Sequence, residues 1–197
     1  MLPTQAETTP LLPQLAAMQE HLERIRTRAE ALRSLSPAQW LWSPAADVWS
    51  LALILDHLNT AEREVVPRIE QSIAALRRED RRSEGPFRYN SWERFFIRML
   101  SPNPPFKLPV PPQFTPQAPE DPLSQVLDPF LALQERYLKI LEQANGYDLK
   151  ASRVTSPVSP LLKMTVGGYL EAMVAHERYH WTQVEAILAN PQFSGLQ

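Results

Sequence analysis

Four stretches of this chain repeat apolar residues at intervals of three and four, and its 20 prolines fall mostly between those stretches. Proline removes a backbone donor and clashes with the preceding helical turn, so a chain punctuated in this way folds as long helices joined by stiff, non-helical connections. Glycines number only 5, and alternating strand patterns are almost absent. The expectation is an all-α fold, a four-helix bundle forming a single domain over residues 1–197.

In the first stretch Leu11, Leu15, Met18, Leu22 and Ile25 share one helical face, predicting a helix over about 10–33. A Trp-rich connection through Trp40 and Trp42 follows. Asp47 or Ser50 then serves as N-cap for a second helix over about 48–78, with Leu51, Ile54, Leu58, Ala61, Val65 and Ile69 inward and Pro67 expected to kink it or loosen a turn. The period is lost over residues 79–121, where a charged run, a short amphipathic piece at 90–100 and a proline-rich stretch make up a crossover. Polyproline II advances about 3.1 Å per residue, enough to run the length of a helix, so helices two and three can be parallel neighbours. Asp121-Pro122 opens a third helix over about 122–145, carrying Leu123, Val126, Leu127, Phe130, Leu133, Leu138 and Leu141. After a loop containing Pro157 and Pro160, Thr165 caps a fourth helix over about 165–190, with Val166, Tyr169, Met173, His180, Val184 and Ile187 inward. Asn190-Pro191 stops it, and the tail from 192 to 197 is expected to fray.

With a formal net charge of -2 and basic residues interspersed with acidic ones, the chain offers no basic face for nucleic acid. The absence of cysteine removes disulfides, thiolate ligands and a Cys nucleophile, leaving His, Asp and Glu as the strong metal ligands. The opening residues, Met1 to Glu7, lack a basic region followed by an apolar core, and no uncharged apolar run approaches the ~20 residues of a membrane span. A cytoplasmic protein with neither nucleic acid nor membrane as partner is expected.

His176 and His180 are four apart, so on a helix their imidazoles project from one face about one turn apart, the spacing that lets two nitrogens reach one ion. Such pairs also occur on solvated faces. His180, however, shares its stripe with Met173, Val184 and Ile187, so at least one imidazole points into the bundle, where an unpaired polar group costs roughly 1–3 kcal/mol. His57 follows Ile54 by three residues, on the inward edge of the second helix. Three imidazoles converging from two helices make an N-donor set that Zn, Ni or Fe accepts, with open positions for water or substrate. The alternative is a group of core histidines satisfied by hydrogen bonds alone. His21 has no histidine partner at helical spacing and reads as structural or exposed.

The stretch Trp49-Ser50-Leu51-Ala52-Leu53-Ile54-Leu55-Asp56-His57-Leu58 resembles the DinB/YfiT-like superfamily pattern of a Trp-Ser cap leading into a helix, with a His seven residues after the Ser. Thr165-Val166-Gly167-Gly168-Tyr169-Leu170, followed by His176-Glu177-Arg178-Tyr179-His180-Trp181-Thr182-Gln183, resembles that superfamily's last helix. The resemblance spans nearly the whole chain in order and spacing. It implies an up-down-down-up bundle with a long crossover between helices two and three, and His57, His176 and His180 as a histidine triad for a divalent metal ion, Zn, Ni or Fe. Activities assigned in the superfamily include thiol-dependent transferases and a maleylpyruvate isomerase. The resemblance therefore implies a metal-dependent transferase or hydrolase acting on a small molecule, with a low-molecular-weight thiol as candidate cofactor. The competing expectation is a non-catalytic, metal-binding, stress-related or protein-interaction bundle.

A metal with open positions works with a nearby proton acceptor, and the sequence singles out no general base. Glu62 and Glu177 lie within a turn or so of the ligands, but acidic residues on helices usually face solvent. Gln183, three residues after His180, is the better partner for a ligand imidazole. Arg178 reads as exposed or as one half of an interhelical ion pair. Trp40, Trp42, Trp49 and Trp181 read as packing. The proline-rich crossover and the aromatic piece around Trp92, Phe95 and Phe96 are expected to line or cover one end of the site. The amphipathic segment 91–100 suits docking on the bundle or on a second subunit, which would make a homodimer. The run Arg77-Arg78-Glu79-Asp80-Arg81-Arg82 reads as a solvated helix end.

Overall fold

Ser50, between the Trp-rich connection and the second apolar stripe, has its hydroxyl accepting the Leu53 N–H at 3.3 Å, and that cap sets where the longest helix begins. A computed structural model describes residues 10–196; the opening residues 1–9 read above, and Gln197, lie outside the described residues. In chain order the helices are α1 Pro13–Ala31, α2 Pro37–Leu41, α3 Leu51–Arg78, α4 Ser91–Leu100, α5 Asp128–Ala144, α6 Val166–Leu188 and α7 Pro191–Ser194. A small antiparallel hairpin, β1 Arg153–Thr155 and β2 Lys163–Thr165, precedes α6. None of the described helices is long and apolar enough to cross a membrane.

Local chemistry accounts for most boundaries. Of the two caps open to the second helix, Ser50 is used and Asp47 is not, so α3 starts at Leu51 rather than 48. It runs unbroken through Pro67, which faces solvent. Thr165 caps α6 through the Gly168 N–H at 3.1 Å. The third helix does start at Asp121, whose carboxylate accepts the Leu123 N–H at 3.1 Å, but its first turn, Leu123–Leu127, is a π-turn closed by the Asp128 N–H on the Leu123 carbonyl. Pro129 has no N–H for the α-ladder at this point, which favours the wider turn.

One expectation gains detail and one is corrected. The loop around Pro157 and Pro160 is the tip of the hairpin, held by the pairing Val154↔Met164 with both side chains buried. The tail is not frayed as far as it is described: Phe193 on α7 is buried and packs against Trp42 with ring centroids 5.9 Å apart.

The four long helices pack around a core that divides in two. One apolar cluster gathers Leu15, Ile69, Ile73, Tyr137, Ile140 and Leu170; the other gathers Ile25, Trp40, Leu51, Leu55, Phe130 and Trp181. Where the clusters meet, every long helix contributes a buried polar residue: His21 from α1, Glu62 from α3, Gln134 from α5 and Glu177 from α6. Cross-ties fix the helices against one another. The Leu12 N–H reaches Asn145 Oδ1 at 3.0 Å, Arg33 meets Asp128 at 2.9 Å, Asn59 donates to the Val126 carbonyl at 2.8 Å, and Arg136 grips Glu70 with two bonds of 2.5 Å. Segment 79–121 crosses between α3 and the π-turn and carries α4, which lies on α6. Glu93 of α4 is fully buried and accepts both the Asn90 N–H at 2.9 Å and the Thr165 N–H at 2.7 Å, closing a capping box and clamping the start of α6.

Candidate metal centre

His57 sits near the start of α3, and His176 and His180 sit one turn apart on α6, so the contact between these two helices brings three imidazoles together. One ligand atom from each lies within 4.8 Å of the others, a group that could hold a metal ion. The separations are tighter still between the Nε2 atoms: 3.3 Å from His57 to His176 and 3.1 Å from His180 to His176. Nitrogens bound tetrahedrally at about 2.05 Å from one Zn ion would stand about 3.3 Å apart, so the spacing fits a shared ion.

The far side of two rings fixes which nitrogen faces the centre. His57 Nδ1–H donates to the Phe114 carbonyl at 2.8 Å, and His180 Nδ1–H donates to Gln183 Oε1 at 2.8 Å. Both acceptors require the proton on Nδ1, which leaves the Nε2 lone pairs pointing at His176 Nε2. A neutral His176 can donate to one of them only, so the cluster holds more lone pairs than protons. A cation at the centre resolves this, and the outer acceptors are of the kind that orient metal-bound imidazoles.

Electrostatics agree with neutral rings. His57 and His180 are 4 % and 5 % exposed, while His176 keeps part of its surface open as a residue. Burial, with the neighbouring His57, pushes His180 down to about 3. Burial followed by repulsion from His180 and His57 holds His176 well below the ordinary imidazole range, and burial lowers His57 against the opposing Phe114 bond. Deprotonated imidazoles are the ligand form.

Trp49 borders the triad, its ring 5.0 Å from His57 and 5.9 Å from His180 and almost parallel to the latter at 13°. The other three tryptophans named above are packing: Trp40 and Trp181 are core residues, and Trp42 covers Phe193. Gln183 is the imidazole partner that its spacing suggested. Arg178 pairs with Glu171 at 3.5 Å along its own helix, not between helices. Residues 77–82, at the end of α3 and just beyond it, are exposed, with Arg82 also lying 4.2 Å over the Tyr147 ring.

Glu62 and Glu177 depart from expectation. Instead of facing solvent they are 1 % and 2 % exposed. The crossover reaches the triad, but through a different part from the aromatic piece: the Phe114 carbonyl at the end of the turn Pro112–Phe114 holds His57, and the Gln117 N–H binds Asp56 at 2.8 Å. Trp92 and Phe96 instead line a small space with Met164 and Tyr169, and Tyr169 is about two turns, or roughly 10 Å of axis, from His176. Sequence reasoning missed Phe114 because a backbone carbonyl carries no side-chain signature.

A family described as the DinB superfamily matches residues 21–184 of the chain. No curated protein and no solved structure matches it.

Proposed function

This chain belongs to the DinB superfamily, and on that premise we propose that His57, His176 and His180 hold a divalent metal ion, Zn, Ni or Fe, in a metal-dependent enzyme acting on a small molecule. The observation that carries the reading is the outward anchoring of two imidazoles, by Phe114 and Gln183, which turns their Nε2 lone pairs onto one point. An ion bound by three nitrogens with open positions activates water or a thiol, so the reaction class is transfer or hydrolysis, with a low-molecular-weight thiol as co-substrate in the transferase case. The protein's own part is to orient three neutral rings and to exclude water from two of them, with Trp49 as the apolar wall over His57 and His180. A non-catalytic metal-binding module is the second reading, favoured by the burial of His57 and His180.

The proposal includes a single domain with up-down-down-up helix order. Supporting it, Leu12 meets Asn145 while Arg33 meets Asp128, so α1 and α5 run oppositely. Asn59 meets Val126 and Glu70 meets Arg136, so α3 and α5 run together. It also includes a cytoplasmic setting and a homodimer built on α4, where Trp92 and Phe95 are each 45 % exposed.

Elemental analysis of protein purified without an affinity tag, wild type against His176→Ala, tests the metal site. Loss of about one equivalent in the variant is expected. Wild-type protein that is metal-free and refuses added Zn and Ni returns these histidines to the core.

A further inference from the structure

The part of the crossover that reaches the triad is barely attached to the rest of the molecule. Eight of the twenty residues 101–120 are proline, and among these twenty Phe114 alone is buried, at 7 % exposure. Among the described residues, two hydrogen bonds tie the stretch 102–119 to the bundle. The Phe114 carbonyl accepts from His57 Nδ1 at 2.8 Å, and the Gln117 N–H donates to Asp56 Oδ2 at 2.8 Å. Both fall on adjacent residues of α3, and one of those is a triad imidazole.

Local chemistry aims the contact. The Phe114 and Thr115 N–H groups donate back to the Pro111 and Pro112 carbonyls at 2.8 and 3.2 Å, which closes the turn on itself and leaves the Phe114 carbonyl for His57. The buried Phe114 ring is the apolar anchor that keeps this carbonyl in place, since the prolines around it lack backbone donors with which to tie the chain down. An ion on His57 Nε2 fixes the ring's one proton on Nδ1, where it donates to Phe114. Without the ion a second tautomer competes, because a proton on Nε2 can donate to His176 Nε2 at 3.3 Å. In that tautomer Nδ1 turns a lone pair to the Phe114 carbonyl, and the hydrogen bond between them is lost.

We propose that Phe114 is a positioning residue of the metal centre, and that residues 102–119 form a strap whose docking on α3 is linked to metal occupancy. The loaded protein holds the strap against Asp56 and His57; the metal-free protein releases it. This inference rests on the triad reading above. Linkage is reciprocal, so the factor by which an undocked strap weakens metal binding equals the factor by which the metal stabilises docking. Outer acceptors of ligand imidazoles set about 10–100-fold in metal affinity, which is the size expected for both effects. The Asp56 to Gln117 bond is a second clasp, next to His57 in sequence but outside the ligand set, so docking can be weakened without removing a ligand.

Hydrogen–deuterium exchange of the full chain, Zn-loaded against chelator-treated, reads the strap with no substitution at all. Exchange at the Gln117 amide should be about 10–100-fold slower with Zn. Zn affinity by chelator competition should fall by a similar factor in Phe114→Ala and stay near wild type in Phe114→Leu, which keeps a buried apolar anchor. Asp56→Ala should speed Gln117 exchange and weaken Zn binding, and Asp56→Asn, which keeps an acceptor, should restore both. Wild-type protein that binds Zn yet exchanges equally fast with and without it overturns the strap, as does Zn affinity unchanged by Phe114→Ala; the triad reading survives either result. Wild-type protein that binds neither Zn nor Ni overturns the triad reading and the strap with it.

Discussion

Stripping all metal from the protein and varying pH should expose an unusual stability profile with its maximum near pH 6.5. All four imidazoles are lowered from the ordinary 6.5, His21 to about 4 and His180 to about 3, burial being the largest cause in every case. Between pH 4.5 and 6.5 the unfolded chain therefore binds up to four protons that the folded chain refuses. Glu62 and Glu177 work in the other direction. Burial, then repulsion from Glu177, holds Glu62 well above the carboxylate range of 4.5; burial pushes Glu177 up to about 8 against the Gln134 bond. Stability from a raised carboxyl is fully present below pH 4.5 and drains away as pH rises towards the folded value. At pH 6.5 the four half-protonated imidazoles of the unfolded chain balance the two protonated carboxyls of the folded one; below it the unfolded state moves up to about two protons ahead, so stability climbs with pH, and above it the folded state moves up to about two ahead, so stability falls. At about 1.4 kcal/mol per proton per pH unit, and with the unfolded imidazoles still giving up protons over this range, the alkaline limb should lose about 1 kcal/mol between pH 6.5 and 7.5. For a chain of this size that is a drop in melting temperature of roughly 2–5 °C. Thermal melts of chelator-treated protein across pH 5 to 8.5 measure it, and Glu177→Gln should remove most of the loss on the alkaline limb. Stability that is level or still rising from pH 6.5 to 8 in metal-free protein would refute the assignment of two buried, protonated carboxyls.

Replacing Gln183 by Ala leaves the His180 Nδ1–H without its acceptor at 2.8 Å and should weaken triad metal affinity about 10–100-fold. Gln183→Glu, which restores an acceptor, should recover it, and a chelator competition giving equal affinities for wild type and the Ala variant would remove Gln183 from the site. Gly167→Ala should destabilise the fold by about 1–3 kcal/mol, because the added Cβ runs into the Phe87 ring, whose backbone Gln14 pins at 2.9 and 3.0 Å. An unchanged denaturation midpoint in urea would show that Phe87 yields.

The sequence by itself determined what depends on near neighbours along the chain. The apolar period made the four long helices readable, and Ser50 and Thr165 could be named as caps because a cap acts only on the next turn. The one-turn spacing of His176 and His180 and the three-residue step from His180 to Gln183 are likewise properties of one helix, so the pair and its outer acceptor were legible. Tertiary structure decided the rest. Phe114 reaches His57 across 57 residues of chain through a carbonyl that any residue type could provide. The hairpin at 153–165 and the burial of Phe193 depend on partners far away in sequence. Above all, Glu62 and Glu177 have the spacing and chemistry of solvated helix residues and are buried only because four helices turn polar side chains to the same level. No periodicity within a single helix records that meeting, because the free energy of a buried carboxyl is set by what the other three helices bring to it.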